Sequence, residues 1–143
     1  MTTTLRMKSQ RGITLIEMLV VVTIIGLLGS VVYLNMFKKA EEVKPKLALT
    51  QIRTFVDTLN LYKLETGSFP TTEQGLQALR VRPEGVAQWG GPYLQTDIPL
   101  DPWGHPYLYK YPGEHSELPD IVSLGGDGVP GGEGTNADIV SWK

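Results

Sequence analysis

The sequence predicts an α+β protein in which a long N-terminal helix, half membrane-spanning and half amphipathic, packs on a small antiparallel sheet. The first observation is an uncharged run, residues 18–37, which as a helix would be about 30 Å long, the thickness of a bilayer's hydrocarbon core. The second is an apolar stripe that continues at helical spacing beyond this run. The third is a set of three short strand-like segments near the C-terminus. With 143 residues, the chain has room for one folded domain beyond the apolar run.

A short basic segment precedes the apolar run. Residues 1–12 carry Arg6, Lys8 and Arg11 and no acidic residue, which predicts that this segment stays on the cytoplasmic side of a membrane. Subtracting these three from the 13 basic residues leaves 10 against 15 acidic residues, a net side-chain charge of −5 for the remainder. This acidic balance argues against nucleic acid as a partner.

Glu17 places a carboxylate five residues into the apolar stretch that starts at Ile13, rather than outside it. A charge near the centre of a membrane helix costs roughly 2.5–3.5 kcal/mol, so such a residue usually has a partner and a function. One interpretation is that Glu17 lies near the interface and reaches headgroup water. Another follows from cleavage after Gly12, because the new amine of Ile13 could pair with Glu17 of a neighbouring chain. Two charges too costly to bury singly would then set the register between subunits.

Residues 12–17, Gly-Ile-Thr-Leu-Ile-Glu behind a basic leader, resemble the processing site of type IV pilins and pseudopilins. The resemblance implies that a prepilin peptidase cuts between Gly12 and Ile13 and methylates the new N-terminus of Ile13, and that Glu17 acts in assembly. An ordinary signal anchor with a chance glutamate is one alternative. A secretory signal peptide cleaved at residues 29–30 is another, although the apolar run continues through that pair of small residues.

The chain turns polar after Phe37, but apolar residues continue at steps of three to five. This spacing predicts an amphipathic helix that ends at Gly67, a natural C-cap. Pro45 removes one backbone donor and is expected to favour a kink. The predicted core stripe of this helix comprises Val43, Leu47, Ile52, Phe55, Leu59 and Tyr62.

Thr71 and Gln74 fit a capping box, which predicts a short second helix over residues 72–79 whose two leucines pack back on the long helix. Residues 81–100 are rich in proline and glycine and are expected to form an ordered loop. Residues 107–111 alternate tyrosine with other residues, which is typical of a strand with one aromatic face. Further short strands are expected at 120–124 and 138–142.

Three segments make the resemblance more specific, because they are similar to the major pseudopilin family of type II secretion systems. They are residues 62–76, 101–107 and 123–128. The similarity extends over nearly the whole chain from Gly12 to Trp142. It implies a type IV pilin-like fold and a structural subunit with no enzymatic activity. The chain departs from the family pattern at Leu34, where many members carry proline, at Pro45, and at Gly126, where they carry a side chain.

The family resemblance also implies a domain organisation and a location. Residues 1–12 form a leader that is removed, 13–37 a transmembrane and filament-core helix, and 38–143 a periplasmic globular domain. The protein would be a single-pass protein of the bacterial inner membrane. Its expected partners are further copies of itself in a periplasmic filament, minor pseudopilins, the inner-membrane secretion platform and the prepilin peptidase.

Two other functions stay open. A type IV pilin for adhesion, motility or DNA uptake is the nearer one, but many such pilins close a C-terminal loop with a disulfide, and this chain has no cysteine. An anchored enzyme or ligand-binding domain is the other, and it should act as a monomer. Two histidines and no cysteine make a zinc site a poor expectation. We expect His105 and His115 to be solvated, and the three tryptophans to serve packing rather than carbohydrate binding.

Residues 125–134 contain six glycines, too many for a helix or strand to form unaided. The segment is therefore either disordered or ordered by a hard cation, because carboxylates at Asp120, Asp127, Glu133 and Asp138 and inward-turned carbonyls would give the oxygen-rich environment that calcium takes. The spacing does not match an EF-hand.

The family resemblance implies a calcium ion in this loop. It assigns Asp127 and Asp138 as carboxylate ligands, Leu124 and Val129 as carbonyl ligands, and Asn136 as a further contributor. Ala137 stands where relatives often have a second aspartate.

Overall fold

The computed structural model describes residues 12–143, and it confirms the predicted fold class. In chain order the elements are α1 (Leu15–Thr66), a 3-10 helix (Leu76–Leu79), β1 (Leu108–Lys110), β2 (Asp120–Ser123), a second 3-10 helix (Gly134–Asn136) and β3 (Ile139–Val140). The chain divides into two compact units, one up to Lys39 and one from Ala40 to Lys143.

Helix α1 has recognisable signals at both ends. Thr14 precedes it, and the Thr14 hydroxyl accepts the Glu17 amide hydrogen at 3.2 Å, as an N-cap does. At the C-terminal end, Gly67 has a φ of 89° and donates its amide to the Lys63 carbonyl at 2.8 Å. This confirms Gly67 as the C-cap, because glycine enters the left-handed region without steric cost. The helix includes Pro45 and does not end there.

The first unit consists of the apolar part of α1. By length and composition, Leu15–Tyr33 is the one helical stretch within the described residues that could cross a membrane. Its large apolar side chains are exposed; Leu15, for example, is 86% exposed.

The second unit has its own hydrophobic core. Helix α1 contributes Ile52, Phe55, Leu59 and Tyr62 to it, each 1% exposed. The same core contains Phe69, Leu76, Ala78, Leu79, Tyr107 and Ile121.

The predicted stripe was wrong at its first two positions, since Val43 is 48% exposed and Leu47 is 54% exposed. The buried residue of that turn is Ala48 instead. The buried face of α1 runs through positions 48, 52, 55, 59 and 62, in alternating steps of four and three. Continued toward the N-terminus, that repeat falls at positions 45 and 41, so Val43 and Leu47 lie off it and their side chains fall on the flank of the helix.

The predicted capping box is present. The Thr71 amide donates to Gln74 Oε1 at 2.9 Å, and the Gln74 amide donates to the Thr71 hydroxyl at 3.3 Å. The helix after it is shorter than predicted, because turns occupy residues 72–75 and only Leu76–Leu79 are helical, as a 3-10 helix. Gly75, with a φ of 59°, is in the left-handed region and cannot continue a right-handed turn.

The three strands form an antiparallel sheet in the order β1-β2-β3. The central strand β2 places Ile121 opposite Tyr109 and Val122 opposite Val140. Each strand is shorter than predicted, but each lies within its predicted segment. The predicted aromatic face is also confirmed: the tyrosines at 107, 109 and 111 contact the core, and the residues between them are exposed.

Candidate functional site

The residues around the predicted cleavage point lie at the beginning of the described chain. Gly12, Ile13 and Thr14 precede helix α1 and are all exposed, Ile13 by 68%. The peptide bond between Gly12 and Ile13 therefore lies outside the helix, between two exposed residues. The basic leader lies outside the described residues.

Glu17 occupies the third helical position of α1 and is exposed. Its amide is bound by the Thr14 hydroxyl, and a carboxylate in the first turn of a helix interacts favourably with the helix dipole. Sequence reasoning missed the capping role of Thr14. The signal was present, because threonine followed three residues later by glutamate is the capping-box pattern.

The glycine-rich segment forms a loop between β2 and β3, and hydrogen bonds join the first half of this loop to the second. The Gly126 amide donates to the Thr135 carbonyl at 2.9 Å. Further along, the Asp138 amide donates to the Gly131 carbonyl at 3.2 Å, and the Gly131 amide donates to Asp138 Oδ2 at 2.9 Å. The backbone of this loop is therefore held across its width rather than extended.

Oxygen atoms converge inside the loop. A side chain at Gly125 would meet the carbonyl oxygens of Asn136 and Ala137 at 2.7 and 2.8 Å, so only glycine fits there. The other carboxylate oxygen of Asp138, Oδ1, is buried and makes no hydrogen bond among the described residues. Carbonyl oxygens that turn into a loop, and a buried carboxylate oxygen with no partner in the described part of the chain, are the kinds of donor that a hard cation takes, so the residues present fit calcium.

The predicted ligands lie in different parts of the loop. Asp138 and Asn136 lie in its second half, from which carbonyl oxygens approach Gly125. Asp127 lies in the first half, is exposed, and accepts the Val129 amide at 3.2 Å. Over residues 12–143, no three histidine, aspartate or glutamate side chains come together as a metal cluster. Any cation in this loop would rely on carbonyl oxygens as much as on carboxylates.

Asp101 and His105 form a hydrogen-bonded turn next to the loop, in which the His105 side chain is 36% exposed and thus partly solvated. The carboxylate of Asp101 is fully buried and accepts the Ser123 hydroxyl at 2.6 Å and the His105 amide at 2.8 Å. The imidazole Nδ1 of His105 lies 3.1 Å from the Gly125 carbonyl. An aspartate that begins an Asp-Pro-Trp-Gly turn was the available signal.

His115 is exposed, with 46% of its side chain accessible, as expected for a solvated residue, and it also makes specific contacts. Its Nδ1 lies 2.8 Å from Asp120 Oδ2, and its ring stacks on Trp142 with the ring centroids 3.7 Å apart. Asp120 therefore belongs to this cluster and not to the glycine-rich loop. Burial alone would raise the pKa of Asp120, but the hydrogen bonds from His115 and the Glu114 amide outweigh it and lower the pKa below its ordinary value.

Comparisons with known proteins identify the family. The model described as "Type II secretion system (T2SS), protein G" matches residues 35–142. The chain belongs to the type II secretion system protein G family. A second model, "Prokaryotic N-terminal methylation motif", matches residues 7–33 of this protein G family member.

Relatives of the protein G family match along almost their whole length. The type II secretion system core protein G of Vibrio cholerae is 41% identical over 141 residues, covering 96% of this chain and 95% of the relative. That of Pseudomonas aeruginosa is 38% identical over 138 residues, covering 94% and 96%.

A solved structure agrees with the sequence comparisons. The major pseudopilin from the type 2 secretion system of enterohaemorrhagic Escherichia coli matches with a TM-score of 0.60 and 34% identity, over 76% of this chain and 94% of the other. The predicted resemblance to major pseudopilins is confirmed, as is the role of a pseudopilus subunit in type II secretion. The family is one of structural, membrane-anchored subunits that assemble with other secretion components.

Proposed function

We propose that this protein G family member is stored in the bacterial inner membrane by its N-terminal helix and polymerises from there into a periplasmic filament. A prepilin peptidase would first cut between Gly12 and Ile13 and methylate the amine of Ile13. The subunit would pack against copies of itself, with minor pseudopilins and the inner-membrane platform as further partners, and would carry out no bond chemistry beyond its own processing.

The observation that carries this proposal is the exposure of the apolar half of α1. Of the side chains described there, every large apolar one from Ile13 to Phe37 is exposed, at values from 42% to 86%. A continuous apolar surface along a helix is unfavourable in water, and it marks a contact with a membrane or with another protein. Lipid satisfies it in the stored state, and the helices of neighbouring subunits satisfy it in the filament.

Glu17 supplies the specificity that apolar packing lacks. Smooth apolar helices can slide past one another at little cost, whereas a buried carboxylate without a partner costs several kcal/mol. Pairing of Glu17 with the methylated amine of Ile13 on a neighbouring subunit would be satisfied in one register alone. This use of a buried ion pair to set register is the best-attested role for such pairs.

We also propose that the loop between β2 and β3 binds calcium. Asp138, whose Oδ1 is buried and has no partner among the residues that the structure describes, and Asp127 would supply carboxylate oxygens. Carbonyl oxygens of Leu124 and Val129, with Asn136 as a further contributor, would complete the set. Bound calcium would supply charge neutralisation and would fix the loop, with no part in catalysis.

The experiment that tests the filament proposal is Glu17→Gln in cells that assemble and secrete. The variant removes the charge and keeps the size, so we expect normal membrane insertion and an intact mass corresponding to a chain cut at Gly12. We expect no filaments and no secretion. Glu42→Gln is the matched control, because Glu42 is an exposed acid on α1 outside the apolar run.

Two results would contradict the proposal. Filaments and secretion at the control level in Glu17→Gln would show that the carboxylate does not set register. An uncut chain in wild-type membranes, read from the intact mass, would show that no new amine forms at Ile13 and would favour an anchored monomer.

A further inference from the structure

The turn formed by residues 101–105 lies directly against the first residues of the loop between β2 and β3. A side chain added at Gly126 would meet Trp103 Nε1 at 3.2 Å, and one added at Gly128 would meet the imidazole of His105 at 3.1 Å. The turn therefore forms a platform on which the loop begins. We call residues 101–105 the platform turn.

Hydrogen bonds to the carboxylate and backbone of Asp101 fix the conformation of the platform turn. One carboxylate oxygen of Asp101 accepts the amides of Trp103 at 3.0 Å and His105 at 2.8 Å. The Asp101 amide donates to the His105 carbonyl at 2.8 Å, and the Gly104 amide to the Asp101 carbonyl at 2.9 Å. The two bonds that the carboxylate accepts are charge-assisted, and charge-assisted bonds to backbone amides are stronger than neutral ones.

The second carboxylate oxygen of Asp101 sets the peptide between Leu124 and Gly125. An ionised carboxylate only accepts, so the Ser123 hydroxyl donates to Asp101 at 2.6 Å and offers its lone pairs elsewhere. The Gly125 amide donates to that hydroxyl oxygen at 3.4 Å. In a trans peptide the carbonyl points opposite to the amide hydrogen, so the Leu124 carbonyl is directed away from Ser123.

The next peptide, between Gly125 and Gly126, is held at both ends. A carbonyl oxygen cannot donate, so His105 Nδ1 carries the hydrogen of the 3.1 Å contact to the Gly125 carbonyl. The Gly126 amide donates to the Thr135 carbonyl, in the second half of the loop, at 2.9 Å. Two successive peptides at the loop entrance thus have fixed orientations, although glycine by itself would leave them free.

We propose that the platform turn pre-organises the calcium loop, with His105 and Ser123 as positioning residues: Ser123 orients the proposed ligand carbonyl of Leu124, and His105 fixes the next peptide by binding the Gly125 carbonyl. This inference rests on the proposed calcium site. Residues that orient ligands without touching the metal typically change metal affinity by about 10- to 100-fold when altered, because binding then has to order the ligands as well.

The test compares two replacements of His105 in the full-length processed chain in detergent micelles, titrated with calcium chloride in a calorimeter. The amide nitrogen of His105→Asn lies where Nδ1 lies and can still donate to the Gly125 carbonyl. The amide nitrogen of His105→Gln lies at the position of Nε2 and cannot. We expect His105→Asn to bind calcium close to wild type and His105→Gln to bind about tenfold more weakly.

Three further measurements make the result specific. His115→Gln is the matched control, because His115 binds Asp120 instead, and it should leave calcium affinity unchanged. The melting temperatures of both His105 variants in EGTA should agree, since the role concerns ligand orientation rather than general stability. Ser123→Ala, which removes the acceptor for the Gly125 amide, should also weaken calcium binding.

The outcomes separate the two proposals. If wild type binds no calcium, the calcium site itself is refuted, and the positioning role with it. If wild type binds and His105→Gln binds equally tightly, the positioning role of His105 is overturned while the calcium site stands. Equal weakening in the Asn and Gln variants would also overturn it, because the position of the donor would then not matter.

Discussion

Phe55 shows how much a single side chain of α1 contributes to the second unit. It is 1% exposed, and its ring meets Tyr107 edge-on with the centroids 5.2 Å apart. Edge-to-face aromatic pairs add about 0.5–1.5 kcal/mol to the free energy gained from burial. Phe55 thus connects the helix to the segment that leads into β1.

We predict that Phe55→Ala lowers the free energy of unfolding by about 3–5 kcal/mol, since it removes a buried ring and leaves a cavity. Urea unfolding of the full chain in micelles, followed by tryptophan fluorescence, measures the loss. Leu64→Ala on the same helix is the control, because Leu64 is 83% exposed and its change should stay within about 0.5 kcal/mol. Equal losses in the two variants would contradict this account of the core.

The prediction from sequence succeeded for residues whose role depends on near neighbours. Gly67 and the Thr71–Gln74 pair act through contacts three or four positions away, so their patterns were readable. The hydrogen bond of His105 was not predicted because its partner lies farther off, Gly125 being 20 residues away along the chain. The prediction that Val43 and Leu47 are buried was wrong because irregular steps of three to five residues do not determine which face of a helix is buried.

At the scale of elements, one cluster joins the segment after β1 to β2 and to the C-terminus. His115 follows β1, Asp120 begins β2, and Trp142 follows β3; the imidazole contacts both of the others. The Glu114 amide adds a further bond to the Asp120 carboxylate at 2.8 Å. Connections between these strands therefore depend on one carboxylate remaining charged.

This cluster predicts a pH dependence of stability. The pKa of Asp120 is lowered in the folded state, so its contribution is fully present above its unfolded pKa, about 3.9, and is lost as the pH falls through the folded value. We expect Asp120→Asn to be less stable than wild type at neutral pH, with the difference shrinking below about pH 4. Urea unfolding at a series of pH values measures it.

Asp97→Asn is the control for this prediction. The Asp97 side chain is 95% exposed, and its contact with Arg80 is 3.5 Å; such surface pairs contribute little. Its stability should follow wild type at every pH. A constant difference between Asp120→Asn and wild type down to the most acidic pH would show that the Asp120 charge does not stabilise the fold.

At the scale of the whole molecule, stability has to come without disulfides, because the chain has no cysteine. The three strands are short, with β3 only two residues long. The loop before β3 is therefore a large part of what closes the sheet. A cation in that loop would stabilise the second unit as a disulfide does in small secreted domains.

Calcium at about 100 times its dissociation constant should add about 2.7 kcal/mol to the free energy of unfolding. Calorimetry in calcium and in EGTA measures the corresponding rise in melting temperature. Asp138→Asn should remove the rise, whereas Glu133→Gln, which changes an exposed acid of the same loop outside the proposed ligands, should keep it. Identical melting of wild type in both buffers would refute the calcium proposal.

The loop also bears on the register in which β3 pairs with β2. Val122 faces Val140, and Ser123 faces Ile139; of the two β3 residues, Val140 is the buried one. Because side chains alternate across a strand, a slip of β3 by one residue against β2 would turn Val140 outward. The backbone bond from the Asp138 amide to the Gly131 carbonyl at 3.2 Å fixes the residue just before β3, so the loop helps to keep Val140 in the core.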